Sequence, residues 1–152
     1  KNIYACDLQP ELMGLSKIDM NNISYQSADL RNLPYSDNHF DFVASMSVIE
    51  HVGDISPVIS ELARITKPNG YIQISTDYWD SKIDCKGIYP YGKDQPEMKI
   101  FSLEEIEDLI RVFESFGLKL VGDFDSKCDE KVCKWTRVDR EYTFCRLLFL
   151  KQ

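Results

Sequence analysis

Short apolar runs bounded by turn residues dominate the first half of the chain, and longer helical periods appear in the second. Ile3-Tyr4-Ala5-Cys6 reads as a buried strand, and Asn22 to Ala28 as another, with Ile23 and Tyr25 on one face and Ser27 a candidate third. Pro10 to Lys17, between them, suits a short helix. Leu33-Pro34-Tyr35-Ser36-Asp37-Asn38-His39 is rich in turn formers and reads as a loop. Phe40 to Met46 then reads as a central strand ending in small and polar residues.

Helix punctuation brackets the next segment, Ser56 to Lys67. Ser56 can cap it, Pro57 suits its first position, and Pro68-Asn69-Gly70 stops it. Val58, Leu62 and Ile65 fall on one face, and Tyr71 to Thr76 follows as a strand. Beyond an excursion from Asp77 to Lys99, Ser102-Leu103-Glu104-Glu105 has the form of a capping box. It opens a helix bearing Leu103, Ile106, Leu109, Ile110 and Phe113, with Gly117 placed as a left-handed cap. Leu118 to Phe124 and Tyr142 to Leu150 read as two last strands joined by a charged loop holding Trp135. With no helix between them, they are expected to pair antiparallel. The pattern predicts one α/β domain over residues 1–152, its sheet mostly parallel with an antiparallel pair at the C-terminal end.

Composition narrows the chemistry. At 152 residues, 43% hydrophobic and 28% charged, the chain has the make-up of a folded soluble domain. Its net charge of −7 does not provide the phosphate-neutralising surface of a nucleic-acid binder, so a small-molecule substrate is the first expectation. No apolar run reaches membrane-spanning length and the start lacks a signal-peptide pattern, so a cytoplasmic protein without membrane partners is expected. Cys6, Cys85, Cys128, Cys133 and Cys145 lack the paired CxxC spacing of a zinc site. Free thiols and no bound metal are expected, with Cys128 to Cys133 as a clip the minority alternative.

Ligands of open parallel sheets bind beyond the carboxyl ends of the strands. Three such ends carry suitable groups here. Asp7, followed by Leu8, can accept hydrogen bonds from ribose hydroxyls, or it is a surface carboxylate in a turn. Asp29 can accept from an adenine amine beside the Leu30 N–H, or it forms an Asx turn. Ser45 and Met46 end the third strand, where backbone can approach a ligand and a thioether can pack on it. Glu50 and His51 are adjacent acid and base candidates, or a pair at the start of a helix that caps and packs.

These segments occur in a telling order: IYACDLQPELM, then ISYQSADLRNLPYSDNHFDFVASMSVIEHV, then ISELARITKPNGYIQIS. In that order the chain resembles the class I S-adenosylmethionine-dependent methyltransferases, and within them the small-molecule group with LPF-x-D-x-x-FD and EHV-type segments. The resemblance implies a Rossmann-like fold and S-adenosyl-L-methionine as cofactor. It also implies that Asp7, with Leu8 beside it, holds the ribose, Asp29 and Leu30 the adenine, and Ser45 and Met46 the methionine end. The same likeness puts the family's first strand and glycine-rich turn before Lys1, and none of the seven glycines forms a GxGxG pattern.

Two expectations follow. Cofactor binding by this chain should be weak or absent, and the strand at Ile3 should either lie directly beside that at Phe42 or leave exposed edges that invite a homodimer. His51 is the first candidate general base and Glu50 the second. Tyr78, Trp79, Tyr89 and Tyr91, with Asp77 or Asp80, are candidates for a substrate wall, or they simply pack a long loop. The implied activity is methylation of a small molecule or saccharide precursor. The competing readings are a non-catalytic remnant serving as a binding or dimerisation module, and half of a dehydrogenase. The absent glycine fingerprint and the terminal antiparallel pair count against the last.

Overall fold

The computed structural model describes residues 2–8 and 22–152. The helix expected over Pro10 to Lys17 lies outside the described residues. In chain order the elements are β1 (Ile3–Asp7), β2 (Ile23–Ser27), β3 (Phe40–Met46), a 3-10 turn (Ile49–His51), α1 (Ser56–Ile65), β4 (Thr66–Tyr78), α2 (Leu103–Ser115), β5 (Leu118–Leu120), β6 (Cys133–Trp135) and β7 (Arg140–Lys151). No helix among the described residues is long and apolar enough to cross a membrane.

Two sheets form. β1 and β2 pair in parallel, Ile3 opposite Ile23 and Asp7 opposite Ser27. The larger sheet runs β3-β4-β7-β5, with β6 also paired to β7. There β3 and β4 are parallel, but β7 runs antiparallel to β4, β5 and β6, so parallel pairing is a smaller part of the sheet than the sequence predicts. β1 and β3 are not hydrogen-bonded to each other among the described residues, and each is the edge strand of its own sheet. Aromatic contact joins them instead: the Tyr4 ring meets Tyr35, His39 and Phe40 edge-on at 5.7, 5.7 and 5.5 Å between centroids.

The core lies between one face of the larger sheet and the two helices. Val58, Ile59 and Leu62 of α1 and Ile106, Leu109 and Phe113 of α2 bury against Ile72, Ile74, Leu147 and Phe149. The Phe113 and Phe149 rings stack 4.3 Å apart. The opposite face leaves Phe42, Met46, Tyr71 and Phe144 exposed. A second apolar cluster, Cys85, Met98, Ile100 and Tyr142, seats the excursion after β4 on the hairpin of β6 and β7. All five cysteines are free thiols.

Local signals explain several boundaries. Ser102 accepts the Glu105 N–H at 3.3 Å while Glu105 accepts the Ser102 N–H at 2.9 Å, which is the capping box expected for α2, and Gly117 closes the end at φ 77°. Ser56 does not cap α1. Ile55 holds that position without a side-chain bond, and Asp54 accepts the Ser56 N–H at 3.0 Å. β4 begins at Thr66, earlier than the pattern suggests, because Phe40 pairs with Thr66 and Phe42 with Tyr71, leaving Lys67 to Gly70 as a bulge. The strand expected to reach Phe124 ends at Leu120, and Trp135 lies in β6 rather than in a loop.

Candidate functional site

The candidate residues lie at or just beyond the carboxyl ends of β1, β2 and β3. Asp7 is the last residue of β1 and Leu8 is exposed beyond it. Their backbone is tied to β2: the Ala28 N–H donates to the Asp7 carbonyl at 2.9 Å, and the Ser27 hydroxyl to the Leu8 carbonyl at 3.3 Å. These two bonds hold the ends of β1 and β2 side by side.

Asp29 sits just past β2 and takes part in an Asx turn. Its Oδ1 accepts the Arg31 N–H at 2.9 Å, and the Arg31 guanidinium adds bonds of 3.0, 3.1 and 2.6 Å. Hydrogen bonds from the Arg31 side chain are the main reason the Asp29 carboxyl lies below its usual range. Leu30 packs partly buried on the main core. An adenine amine would therefore share Asp29 with Arg31, a residue two positions away whose significance the sequence pattern does not disclose.

The loop between β2 and β3 is pinned from beneath by α1. Glu61 accepts the Leu33 N–H at 2.6 Å, while Arg64 donates to the Leu33 and Tyr35 carbonyls at 3.1 and 2.7 Å and to Asp37 at 2.7 Å. Lys151 donates to the carbonyls of Ala63 and Thr66, both at 2.8 Å, which satisfies the C-terminal end of α1. This clamp fixes the approach to β3, and so the place where Ser45 and Met46 emerge.

Ser45 is buried at 4% exposure and its hydroxyl has no hydrogen-bond partner among the described residues, whereas Met46 is 56% exposed. Ser47 then takes a left-handed φ of 51°, uncommon for a residue with a side chain. Its N–H donates to the Ser75 carbonyl at 3.0 Å and to the Ser75 hydroxyl at 3.2 Å, turning the chain sharply into the Ile49–His51 turn.

Glu50 and His51 diverge on that turn. Glu50 points inward at 1% exposure: its Oε2 accepts from the Thr76 hydroxyl at 3.1 Å and its Oε1 has no hydrogen-bond partner among the described residues. Burial raises its carboxyl above the usual range. Asp77, also buried, is pushed up to about 7 by burial and then by the nearby Glu50 charge, against a hydrogen bond from Tyr142. His51 is half-buried, its pKa lowered by burial, and its ring meets that of Tyr91 edge-on at 4.9 Å. At neutral pH it is the uncharged imidazole, and of the two neighbours it alone reaches the surface.

The candidate substrate wall divides in the same way. Tyr78 is buried and donates to the Ser126 carbonyl at 3.1 Å, and Lys131 lies 4.7 Å over the Trp79 ring. The Tyr89 hydroxyl is tied to Glu97 at 2.9 Å and Asp80 accepts the Ser81 N–H at 2.6 Å, which leaves Tyr91, 56% exposed, as the aromatic residue open beside His51.

Residues 1–74 match the family model described as Methyltransferase domain. A malonyl-[acyl-carrier protein] O-methyltransferase of Erwinia billingiae is 32% identical over 80 residues, covering 53% of this chain and 32% of that enzyme. Matches to the first curated relatives span 21% to 32% of those proteins' length. In fold, the chain is similar over 99% of its length to an S-adenosylmethionine-dependent methyltransferase of Methanosarcina mazei, with TM-score 0.72, 15% identity and 82% of that chain covered. It is also similar to the Burkholderia thailandensis 1,6-didemethyltoxoflavin-N1-methyltransferase, with TM-score 0.67, 15% identity, 99% of this chain and 61% of that one covered. The family match runs through the segments that carry Asp7, Asp29 and Ser45, and the likeness of fold extends along nearly the whole chain, so the chain has the Rossmann-like fold of S-adenosylmethionine-dependent methyltransferases.

Proposed function

We propose that the strand ends of this chain hold S-adenosylmethionine and serve methyl transfer to a small molecule, in the finer reading a saccharide precursor or similar metabolite. The observation that carries the proposal is the collinear placing of Asp7, Asp29 and Ser45 at the carboxyl ends of β1, β2 and β3. The residues fit the ligand chemically. Two carboxylates supply only acceptors, as ribose hydroxyls and an adenine amine require, and the buried Ser45 hydroxyl has bonding capacity to spare. Asp7 with Leu8 would take the ribose, Asp29 and Leu30 the adenine, and Ser45 and Met46 the methionine end. When bound, the cofactor supplies an electrophilic methyl group.

The chain's own residues orient the acceptor and handle its proton. His51, uncharged at neutral pH and open beside Tyr91, is the general base for a hydroxyl or amine acceptor. The exposed Tyr91 face offers a ring on which a planar acceptor can stack. The Burkholderia relative was crystallised with 1,6-didemethyltoxoflavin and S-adenosylhomocysteine, which supports a small-molecule acceptor.

The test is a calorimetric titration with S-adenosylhomocysteine up to millimolar concentration, with Asp7→Ala alongside. Weak but saturable binding that the variant loses is the expected result. Equal affinity in both proteins, or no heat in either, overturns the assignment.

A further inference from the structure

A cavity of about 510 Å3, open to solvent, lies between the excursion after β4 and the hairpin of β6 and β7. Ile83, Asp84, Lys131, Asp139, Arg140 and Glu141 line it, and none of the residues assigned to the cofactor or to the candidate base is among them. Its volume falls in the range of small-molecule sites, roughly 300–1,000 Å3. Five of the six lining residues are charged, so the cavity selects by charge rather than by apolar fit.

The lining is ordered by contacts of its own. Arg140 donates from Nε to the Asp84 carbonyl at 2.8 Å and from Nη1 to the Val138 and Asp139 carbonyls at 3.3 and 2.9 Å, so one guanidinium ties the excursion to the hairpin. Carbonyl oxygens carry no net charge, and these bonds fix the guanidinium without neutralising it. Lys131 lies 4.7 Å over the Trp79 ring. Asp84 accepts the Lys86 N–H at 2.9 Å, and Asp139 holds a left-handed φ of 51° at the turn into β7. Ile83 on one side and Val138 on the other pack on the buried cluster of Cys85, Met98, Ile100 and Tyr142. Side chains held in this way lose little freedom when a ligand arrives.

The charges are the informative part. Glu141 is paired with Lys134 at 2.7 Å, whereas Asp84, Asp139, Lys131 and Arg140 are in no ion pair among the described residues. Two carboxylates and two cations thus line one cavity unmatched, and their charges sum to zero. A ligand of one sign gains from two of these groups and is repelled by the other two. A neutral ligand with both signs on one molecule gains from all four.

We propose that this cavity binds a small zwitterion, a molecule carrying a carboxylate and an ammonium group, with Arg140 and Lys131 receiving the carboxylate and Asp84 and Asp139 the ammonium. The assignment concerns binding alone and does not depend on methyl transfer.

Backbone amide shifts followed by NMR test it with two zwitterions of different charge spacing, 4-aminobutyrate and L-glutamine, against butyrate and butylamine, which each keep one charged end. Saturable shifts at Asp84, Asp139 and Glu141 are expected with at least one zwitterion, at an affinity about tenfold or more above that of either one-ended analogue. This comparison uses the native protein and needs no variant. Lys131→Gln and Asp139→Asn should each weaken the zwitterion about fivefold or more. The first removes an exposed charge that is in no ion pair, and asparagine tolerates the left-handed backbone of the second, so both variants keep the fold. Absence of saturable shifts with both zwitterions, equal affinity for a one-ended analogue, or native affinity in either variant overturns the proposal.

Discussion

Replacing Arg64 with methionine keeps an apolar stem against α1 and removes the guanidinium that gathers the loop before β3. Five hydrogen bonds go with it: 2.8 and 2.7 Å to the two oxygens of Glu61, 2.7 Å to Asp37, and 2.7 and 3.1 Å to the carbonyls of Tyr35 and Leu33. Their contributions are unequal. The Asp37 side chain is 71% exposed and adds little, whereas that of Glu61 is 12% exposed and would be left charged with the Leu33 N–H as its remaining bond. Hydrogen bonds to charged groups contribute about 1.5–3 kcal/mol each, but bonds sharing one guanidinium do not add, so the loss is about 3 kcal/mol. For a domain of this size that lowers the melting temperature by about 6–12 °C.

Urea unfolding of the native protein, Arg64→Met and Arg64→Lys measures the loss directly. Lysine restores the charge but not the planar fork that reaches two carbonyls and a carboxylate together, so it should recover less than half of the difference. A methionine variant within about 1 kcal/mol of the native protein would refute the clamp, since that is the range of an ordinary surface ion pair. Full recovery by lysine would refute the part of the reasoning that depends on geometry.

Two further substitutions test local structure. Ser102→Ala removes the oxygen that accepts the Glu105 N–H and should cost about 1 kcal/mol by urea unfolding, and no measurable loss would remove the capping box from the account of α2. Gly70→Ala would place a Cβ 2.9 Å from the Lys67 carbonyl and 3.0 Å from that of Asp41, both backbone atoms, so it should destabilise by about 1–3 kcal/mol, and a neutral result would mean that the β4 bulge yields readily.

What the sequence discloses depends on how far apart the deciding atoms are. α2 is legible from its own residues, because Ser102, Glu105 and Gly117 act within one helix. The order of acidic strand ends is legible too, because each lies at the close of an apolar run. The start of β4 is not, since the pairing of Phe40 with Thr66 across the chain decides it. β6 is hidden for the same reason: Cys133-Lys134-Trp135 is a strand only because Arg140 to Tyr142 folds back against it. Asp29 shows a subtler failure, in which both of its readings are visible from sequence but the closing of Arg31 onto its carboxylate is a matter of rotamer.

The charged groups of the site are held in two different ways, and the difference follows from where β3 and β4 place them. On the outer side, carboxylates are matched by arginine: Asp29 by Arg31, and Glu61 by Arg64. On the inner side, Glu50 and Asp77 meet hydroxyls and thiols, because the residues of β4 and β7 that face them are selected for packing at the end of the core. Salt screens the outer pairs, while pH near neutrality acts on the buried Asp77 carboxyl and leaves arginine charged. Ionic strength and pH thus act at different places, the first on the loop that leads into β3 and the second on the Asp77 carboxyl at the end of β4.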